Sequence, residues 1–313
     1  MQTKVVIGID TSNYTTSCAV CNMSGEILEN YKELLPVKDG ERGLRQSDAV
    51  FAHIKNFQII SSRIKEKHAD YEIVAIGYSA YPRDAQGSYM PCFLVGQAVC
   101  EMISALYGIP SFHFSHQSGH IQAALYSAKL EAREQFVAFH VSGGTTEIVL
   151  AKPNESGFEV ELIGGSSDLH AGQAIDRIGV KMGLKFPCGR EIERLALQNT
   201  KKIPSYRISV SDLTCNLSGL ENLSLKILKE TNDLCLTSAF VLDFVAKTIE
   251  KLSLNLREKY DNIKIVYAGG VMSNKIIQGY LASKLSDTYF AEPEFSADNA
   301  CGTAILTYKK YSK

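Results

Sequence analysis

The sequence predicts an α/β protein of two duplicated lobes, each a mixed β-sheet flanked by helices. Three observations predict it. Strand-like and helix-like segments alternate along 313 residues, the pattern of sheets covered by helices. A run of three strands followed by helix–strand alternation occurs twice, beginning near Lys4 and again near Phe136. Each unit is about one domain long, and no low-complexity linker separates them.

The elements follow in order. Lys4–Asp10 is an apolar run ending in an acid and reads as a buried strand. Thr15–Asn22 is a second strand, Met23-Ser24-Gly25 a turn and Glu26–Leu35 a third strand. A polar stretch, Pro36–Gln46, precedes a helix over Ser47–Lys67 with Ser47 as its N-cap. Ile73–Ser79 is a strand, Phe93–Tyr107 a helix, Ser111–His113 a short strand and His116–Ser127 a helix. The second unit repeats the theme with strands at Phe136–Val141, Thr145–Ala151 and Phe158–Ile163. Helices follow at Ala171–Met182, Glu191–Gln198, Leu220–Glu230 and Leu234–Lys259, then a strand at Ile263–Ala268, a helix from near Ser273 and a last helix over Asp298–Tyr308.

Composition narrows the function. The chain carries 33 Lys+Arg against 34 Asp+Glu, a net charge of −1, so it is not coated in basic residues for nucleic acid. No apolar run reaches the roughly 18 residues of a membrane span. The first residues run straight into a strand, so a cytoplasmic chain without a signal peptide is expected. The 8 cysteines are scattered through apolar segments and read as buried thiols. Cys18 and Cys21 form C-x-x-C inside a strand, where residues three apart point to opposite faces. No second pair accompanies them, which speaks against a redox or zinc site.

Three turns are built alike. Asp10-Thr11-Ser12-Asn13, Ser142-Gly143-Gly144-Thr145-Thr146 and Gly269-Gly270-Val271-Met272-Ser273-Asn274 each follow an apolar strand and present small or hydroxyl residues. Exposed backbone N–H groups and hydroxyls in such turns suit phosphate oxygens; each also reads as an ordinary hairpin or strand-to-helix loop. None matches a P-loop or a G-x-G-x-x-G dinucleotide motif. His116 and His120 lie four apart on a helix, so both imidazoles fall on one face and can share an ion. No Glu stands beside His116, which speaks against a zincin-type peptidase. Asp298 is either a third ligand or the N-cap of the last helix. Two histidines and one carboxylate suit iron(II) or zinc.

The duplicated meander with its hairpin loops resembles the actin-like ATPase superfamily, in which two lobes close over a nucleotide. Ordered motifs over about residues 4 to 308 resemble the TsaD family of that superfamily, the tRNA threonylcarbamoyladenosine transferases. They are Gly8-Ile9-Asp10-Thr11-Ser12 against G-I-E-T-S and His116-x-x-x-His120. Next come Val141-Ser142-Gly143-Gly144-Thr145 against V-S-G-G-H, and Ala171-Gly172-Gln173-Ala174-Ile175-Asp176 against A-G-E-A-F-D. Phe186-Pro187-Cys188-Gly189 with Glu193, Leu217-Ser218-Gly219-Leu220, Gly269-Gly270-Val271-Met272-Ser273-Asn274 and Asp298-Asn299 complete the set.

The resemblance implies transfer of a threonylcarbamoyl group from threonylcarbamoyl-adenylate to N6 of the tRNA adenosine beside the anticodon. It implies one divalent metal, iron(II) or zinc, on His116, His120 and Asp298, with adenylate or ATP as the bound nucleotide. Val141, Ser142, Gly143, Gly144 and Thr145 would line the phosphate, with Gly269 and Gly270 also in the nucleotide site. Asp176, Gly189, Glu193 and Asn274 would hold the nucleoside, and Asp10 and Ser12 stand as catalytic residues. A TsaB-like paralogue and a TsaE-like ATPase are the implied partners, and no membrane is. The implied lobes are 1–115, completed by a C-terminal helix over 297–313, and 116–296, carrying the nucleotide and metal motifs.

The chain also departs from the pattern. The family's C-D-E-T after G-I-E-T-S is Asn13-Tyr14-Thr15-Thr16, its G-P-G-L loop is replaced over residues 81–88, and the Lys of S-G-L-K is Glu221. These departures leave an alternative: a divergent paralogue that binds adenylate or ATP and a metal but acts on another acceptor or regulates. A metallopeptidase and a sugar or acid kinase are the weaker alternatives. With so little net charge, any tRNA contact must come from a local patch, with Arg177, Lys181, Lys185 and Arg190 as candidates, or from partner subunits.

Overall fold

The structure is a computed structural model that describes residues 2–36, 44–155, 157–261 and 263–313. Part of the expected polar stretch Pro36–Gln46, residues 37–43, lies outside them. The chain forms two units.

The first unit comprises residues up to Glu131, Pro153–Glu159 and Ala297–Lys313. Its elements begin with β1 (Thr3–Thr11), β2 (Thr15–Asn22), β3 (Ile27–Leu34), α1 (Gln46–Lys67) and β4 (Tyr71–Tyr81). They continue with α2 (Phe93–Tyr107), β5 (Ser111–Ser115) and α3 (His116–Ser127). The sheet runs β3-β2-β1-β4-β5. β1 pairs antiparallel with β2 and parallel with β4, and β4 pairs parallel with β5. The apolar run of β1 is buried from Val5 to Thr11, as a central strand covered on both faces must be.

The second unit opens with β6 (Phe136–Val141), β7 (Thr146–Asn154), β8 (Gly157–Ser166), α4 (Ala171–Lys181) and α5 (Gly189–Ala196). It continues with β9 (Ser209–Ser211), β10 (Thr214–Asn216), α6 (Ser218–Thr231), α7 (Leu234–Lys259) and β11 (Ile265–Ala268). α8 (Lys275–Lys284), β12 (Thr288–Phe290) and α9 (Pro293–Ser296) finish it, and α10 (Cys301–Tyr311) returns to the first unit. The sheet runs β12-β11-β6-β7-β8-β10-β9. Read from β8 to β12, its five strands β8-β7-β6-β11-β12 repeat the order of the first sheet, so the sequence duplication is a duplication of topology. The short strands β9, β10 and β12 went unread, because three residues carry no periodicity.

Three expectations change. Helix α3 groups with the first unit, together with α10, rather than opening the second lobe at 116. The metal motif therefore belongs to the first unit. Ser47 lies inside α1, whose first turn hangs from the Arg45 carbonyl through the N–H groups of Asp48 and Ala49. Asp298 is not an N-cap: α10 begins at Cys301, whose N–H donates to Asn299 Oδ1 at 2.9 Å.

The cysteines are free thiols, seven of them buried and Cys235 half-buried. Burial pushes Cys18 up to about 12 and, with Glu26 adding to it, Cys21 to about 12. Neither is poised as a thiolate.

Candidate metal centre and ligand pocket

Helix α3 begins with a complete N-cap. Ser115 has extended backbone, and its hydroxyl accepts from Ser118 N at 3.0 Å. The same hydroxyl donates to Asp84 Oδ2 at 2.8 Å, and Ser118 Oγ donates to that oxygen at 3.2 Å. The Pro82 carbonyl accepts from Gln117 N at 3.0 Å. The segment 81–88 thus holds the first turn of the helix that carries both histidines, and the Asp84 charge sits at its positive end. Sequence reading missed Asp84, because nothing local joins it to a serine 31 residues on.

His116 and His120 project from successive turns, with their Nε2 atoms 2.9 Å apart. Asp298 Oδ1 lies 3.1 Å from His120 Nε2 and 3.8 Å from His116 Nε2. An ion bonded at about 2.1 Å to three ligands puts those ligands roughly 3.0–3.5 Å apart, so the three residues fit one metal. Among the described residues this is the only group of three or more His, Cys, Asp and Glu ligands close enough to share an ion.

The surrounding groups fix the ligands. Asp10, 1% exposed, accepts from Ser12 N at 3.1 Å through Oδ1, and its Oδ2 lies 2.7 Å from His116 Nδ1. With the His116 proton on Nδ1, Nε2 keeps its lone pair for a metal. Ser12 Oγ donates to Asp298 Oδ2 at 2.7 Å, which leaves Oδ1 toward the histidines. Burial would lower His116, but the charge and hydrogen bond of Asp10, aided by Asp298, outweigh it and push it up to about 9. Burial would raise Asp298, but the His120 hydrogen bond and the two imidazole charges hold it well below the usual carboxylate range. Two carboxylates facing two imidazoles favour a positive charge there, carried by the second His116 proton or by a metal that displaces it from Nε2.

One close approach makes this possible. A Cβ on Gly302, one turn beyond Asp298, would collide with the carbonyl of Gly119, which lies between the two histidines. Only glycine lets α10 reach α3 there.

The second unit holds the other expected residues. Ser142–Thr145 is the turn of the β6–β7 hairpin, closed by Ser142 N donating to the Thr145 carbonyl at 2.8 Å. Open space lies over Gly143 and Gly144, where a Cβ would meet nothing. Gly269 has φ +102°, and a Cβ there would strike the Val141 carbonyl, so this turn needs glycine. Asn274 caps α8 through Oδ1, which accepts from Ile276 N and Ile277 N, both at 3.1 Å. Glu193 Oε1 accepts from Lys275 N at 2.6 Å, and Asp176 Oδ1 from Cys188 N at 2.7 Å. Burial raises Asp176 above the ordinary carboxylate value against that hydrogen bond. Gly189 opens α5.

A pocket of about 430 Å³ is lined by Gly143, Gln173, Asp176, Arg177, Val180, Lys181 and Phe186. Of the expected nucleotide residues it gathers Gly143 and Asp176, while Gly189, Glu193, Gly269, Gly270 and Asn274 are not among its lining residues. The basic-patch expectation changes here. Arg177 Nε lies 3.0 Å from Glu221 Oε2 and Lys181 Nζ 2.5 Å from Glu221 Oε1. Glu221 thus pairs with two of the four candidates, and its single charge offsets one of their two.

Comparison with known proteins places these features. The sequence pattern of one family, TsaD, tRNA N6-adenosine threonylcarbamoyltransferase, matches residues 47–305. A tRNA N6-adenosine threonylcarbamoyltransferase of Streptococcus pneumoniae (strain ATCC 700669 / Spain 23F-1) is 28% identical over 328 aligned positions, spanning 100% of this chain and 94% of that protein. The protein of the same name from strain CGSP14 is 29% identical, with the same coverage. Among solved structures, full-length HypF in a phosphate- and nucleotide-bound form has a TM-score of 0.61 at 13% identity, covering 100% of this chain and 47% of that one. Component A of the (R)-2-hydroxyglutaryl-CoA dehydratase of Acidaminococcus fermentans has a TM-score of 0.54 at 16% identity, covering 99% of both chains. A ROK family glucokinase from Streptomyces griseus has a TM-score of 0.53 at 13% identity, covering 97% of this chain and 99% of that one. These structures show the fold, that of the actin-like ATPases.

Proposed function

The chain belongs to the TsaD family of tRNA N6-adenosine threonylcarbamoyltransferases, and from that membership we propose that it transfers a threonylcarbamoyl group from threonylcarbamoyl-adenylate to N6 of a tRNA adenosine next to the anticodon. The observation that carries the proposal is the convergence of His116, His120 and Asp298, with Nε2 atoms 2.9 Å apart. These three residues would hold a divalent metal, iron(II) or zinc. When bound, the ion supplies Lewis acidity against negative charge at the carbonyl under attack.

The chain's own groups do the rest. Asp10 holds the His116 proton at Nδ1 and Ser12 orients Asp298, so both act on metal ligands. The N–H groups of the Ser142–Thr145 turn that are not spent within it bind the adenylate phosphate; as the N6 amine bonds to the carbonyl carbon, the bond from that carbon to the phosphate oxygen breaks, AMP leaves and the amine proton is lost to solvent. Asp176, Gly189, Glu193 and Asn274 hold the nucleoside, each acid as an acceptor for ribose hydroxyls. Among the described residues, Asn274 Nδ2 and the second oxygens of Glu193 and Asp176 have no protein partner, so they stay uncommitted for this task.

A TsaB-like paralogue and a TsaE-like ATPase are the proposed partners, in the cytoplasm. No described helix is long and apolar enough to cross a membrane. Phe51, Ile54 and Ile59 of α1 and Leu94, Met102 and Leu106 of α2 stand exposed and are apolar surface open to such a partner.

The test supplies threonylcarbamoyl-adenylate and unmodified tRNA, with and without partners, and assays the modified nucleoside. Product formation is expected. Absence of product with adenylate binding retained would instead favour a paralogue with another acceptor, the reading that Tyr14 and Thr15 support at positions where the family has acids.

A further inference from the structure

Phe186 is 73% exposed, at the mouth of the second unit's pocket. Val180, beside it in the lining, is 53% exposed. Two apolar side chains left in water on one rim need a reason that the fold does not supply, because the loop's own packing is done by Cys188, fully buried against α4. The loop is tied to α4 at Cys188. Asp176 Oδ1 accepts from Cys188 N, and the Cys188 thiol points to the Asp176 carbonyl at 3.6 Å. The ring therefore stands two residues before an anchored position.

The charges around it are sorted. Arg177 and Lys181, which line the pocket, are paired with Glu221. Lys185 and Arg190 flank Phe186 in the chain, are exposed, and among the described residues have no ion-pair partner. An exposed aromatic ring, with an exposed lysine next to it in the chain and an exposed arginine four residues on, has the chemistry of a single-stranded nucleic-acid contact. The ring stacks a base and the cations follow the sugar–phosphate backbone.

We propose that Phe186 is a stacking platform for an unpaired base of the RNA acceptor, with Lys185 and Arg190 holding the adjoining backbone. The proposal rests on the reading of an RNA acceptor given above. It also explains how a chain of net charge −1 meets a polyanion: through two cations and one ring rather than a basic surface.

The test uses the full chain, which has no Trp, so Phe186→Trp places a single tryptophan at the site. A fluorescent RNA stem-loop with an unmodified adenosine in its loop is titrated by anisotropy, beside AMP by calorimetry. Phe186→Ala is expected to weaken RNA binding roughly 5- to 100-fold, by more than it weakens AMP binding. Phe186→Tyr, which keeps the ring, restores affinity to within about threefold. The double variant Lys185→Ala, Arg190→Ala lowers the salt slope of RNA binding by roughly 1 to 2. With AMP saturating, the indole fluorescence of the Phe186→Trp chain is quenched by the stem-loop and not by the same RNA annealed into a duplex. RNA affinity unchanged in Phe186→Ala overturns the platform while leaving the acceptor reading intact. Quenching by AMP alone, with no further change on adding RNA, assigns the ring to the adenylate and overturns it too. A wild-type chain that binds no RNA, alone or with its partners, overturns the acceptor reading and the platform together.

Discussion

Asp10 spends both carboxylate oxygens inside the protein, one on Ser12 N and one on His116 Nδ1. Such a group orients a ligand rather than carrying a proton to substrate. Asp10→Asn is expected to weaken zinc or cobalt binding roughly 10- to 100-fold, read by calorimetry on the purified chain. Wild-type affinity in that variant would remove the orienting role. Asp168 is a second residue whose acidity reports its bonds. Burial would raise it, but donors from Ser218, Leu217 and Leu169 outweigh this and lower it to about 2. A depressed acid stabilises the fold above its ordinary value of 3.8 and loses that contribution as pH falls toward about 2. The Tm gap between wild type and Asp168→Asn should therefore be widest at neutral pH and shrink below about pH 4. A gap independent of pH would show that those donors do not favour the charged form.

At the scale of elements, helix ends do double duty. Asn274 caps α8 through its oxygen, and its amide nitrogen is the part proposed to face the nucleoside. The two tasks separate by substitution. Asn274→Ala should cost about 1 kcal/mol of stability and also nucleotide affinity. Asn274→Asp keeps the cap, because aspartate caps as well as asparagine, and should lose only the affinity. Equal nucleotide binding in wild type and Asn274→Asp would sink the ligand role. The α3–α10 crossing makes a similar demand. Gly302→Ala forces the helices apart at the Gly119 carbonyl. A destabilisation of about 1–3 kcal/mol with loss of metal binding is expected, by denaturant melts and metal titration. Unchanged metal affinity would mean that the crossing does not set the Asp298–histidine distance.

For the whole molecule, the two units divide the labour. His116, His120, Asp298, Asp10 and Ser12 all belong to the first unit, and Asp176, Glu193 and Asn274 to the second. Energies of residues without shared partners add. Glu193→Ala should thus lower adenylate affinity while leaving metal affinity within about twofold; a large loss of metal binding would show coupling that the separate ligand sets do not contain. The net charge of −1 also has a structural meaning at this scale. Much of the balance is local pairing, as Glu221 shows by holding both Arg177 and Lys181.

The sequence by itself determined the order of the longer elements, the duplication and the paired histidines. These are written in short-range periods: two residues per strand repeat, and about one helical turn between His116 and His120. It also exposed the glycine turns, because a turn's chemistry sits within a few residues. Only the tertiary structure decided that Asp298 is a ligand candidate rather than a cap. It alone gave Asp10 to His116 across 106 residues, set Asp84 behind Ser115 and moved α3 into the first unit. Each of those depends on two distant segments meeting at hydrogen-bond distance. That meeting is fixed by packing, such as the glycine crossing of α3 and α10, and packing leaves no period in the sequence.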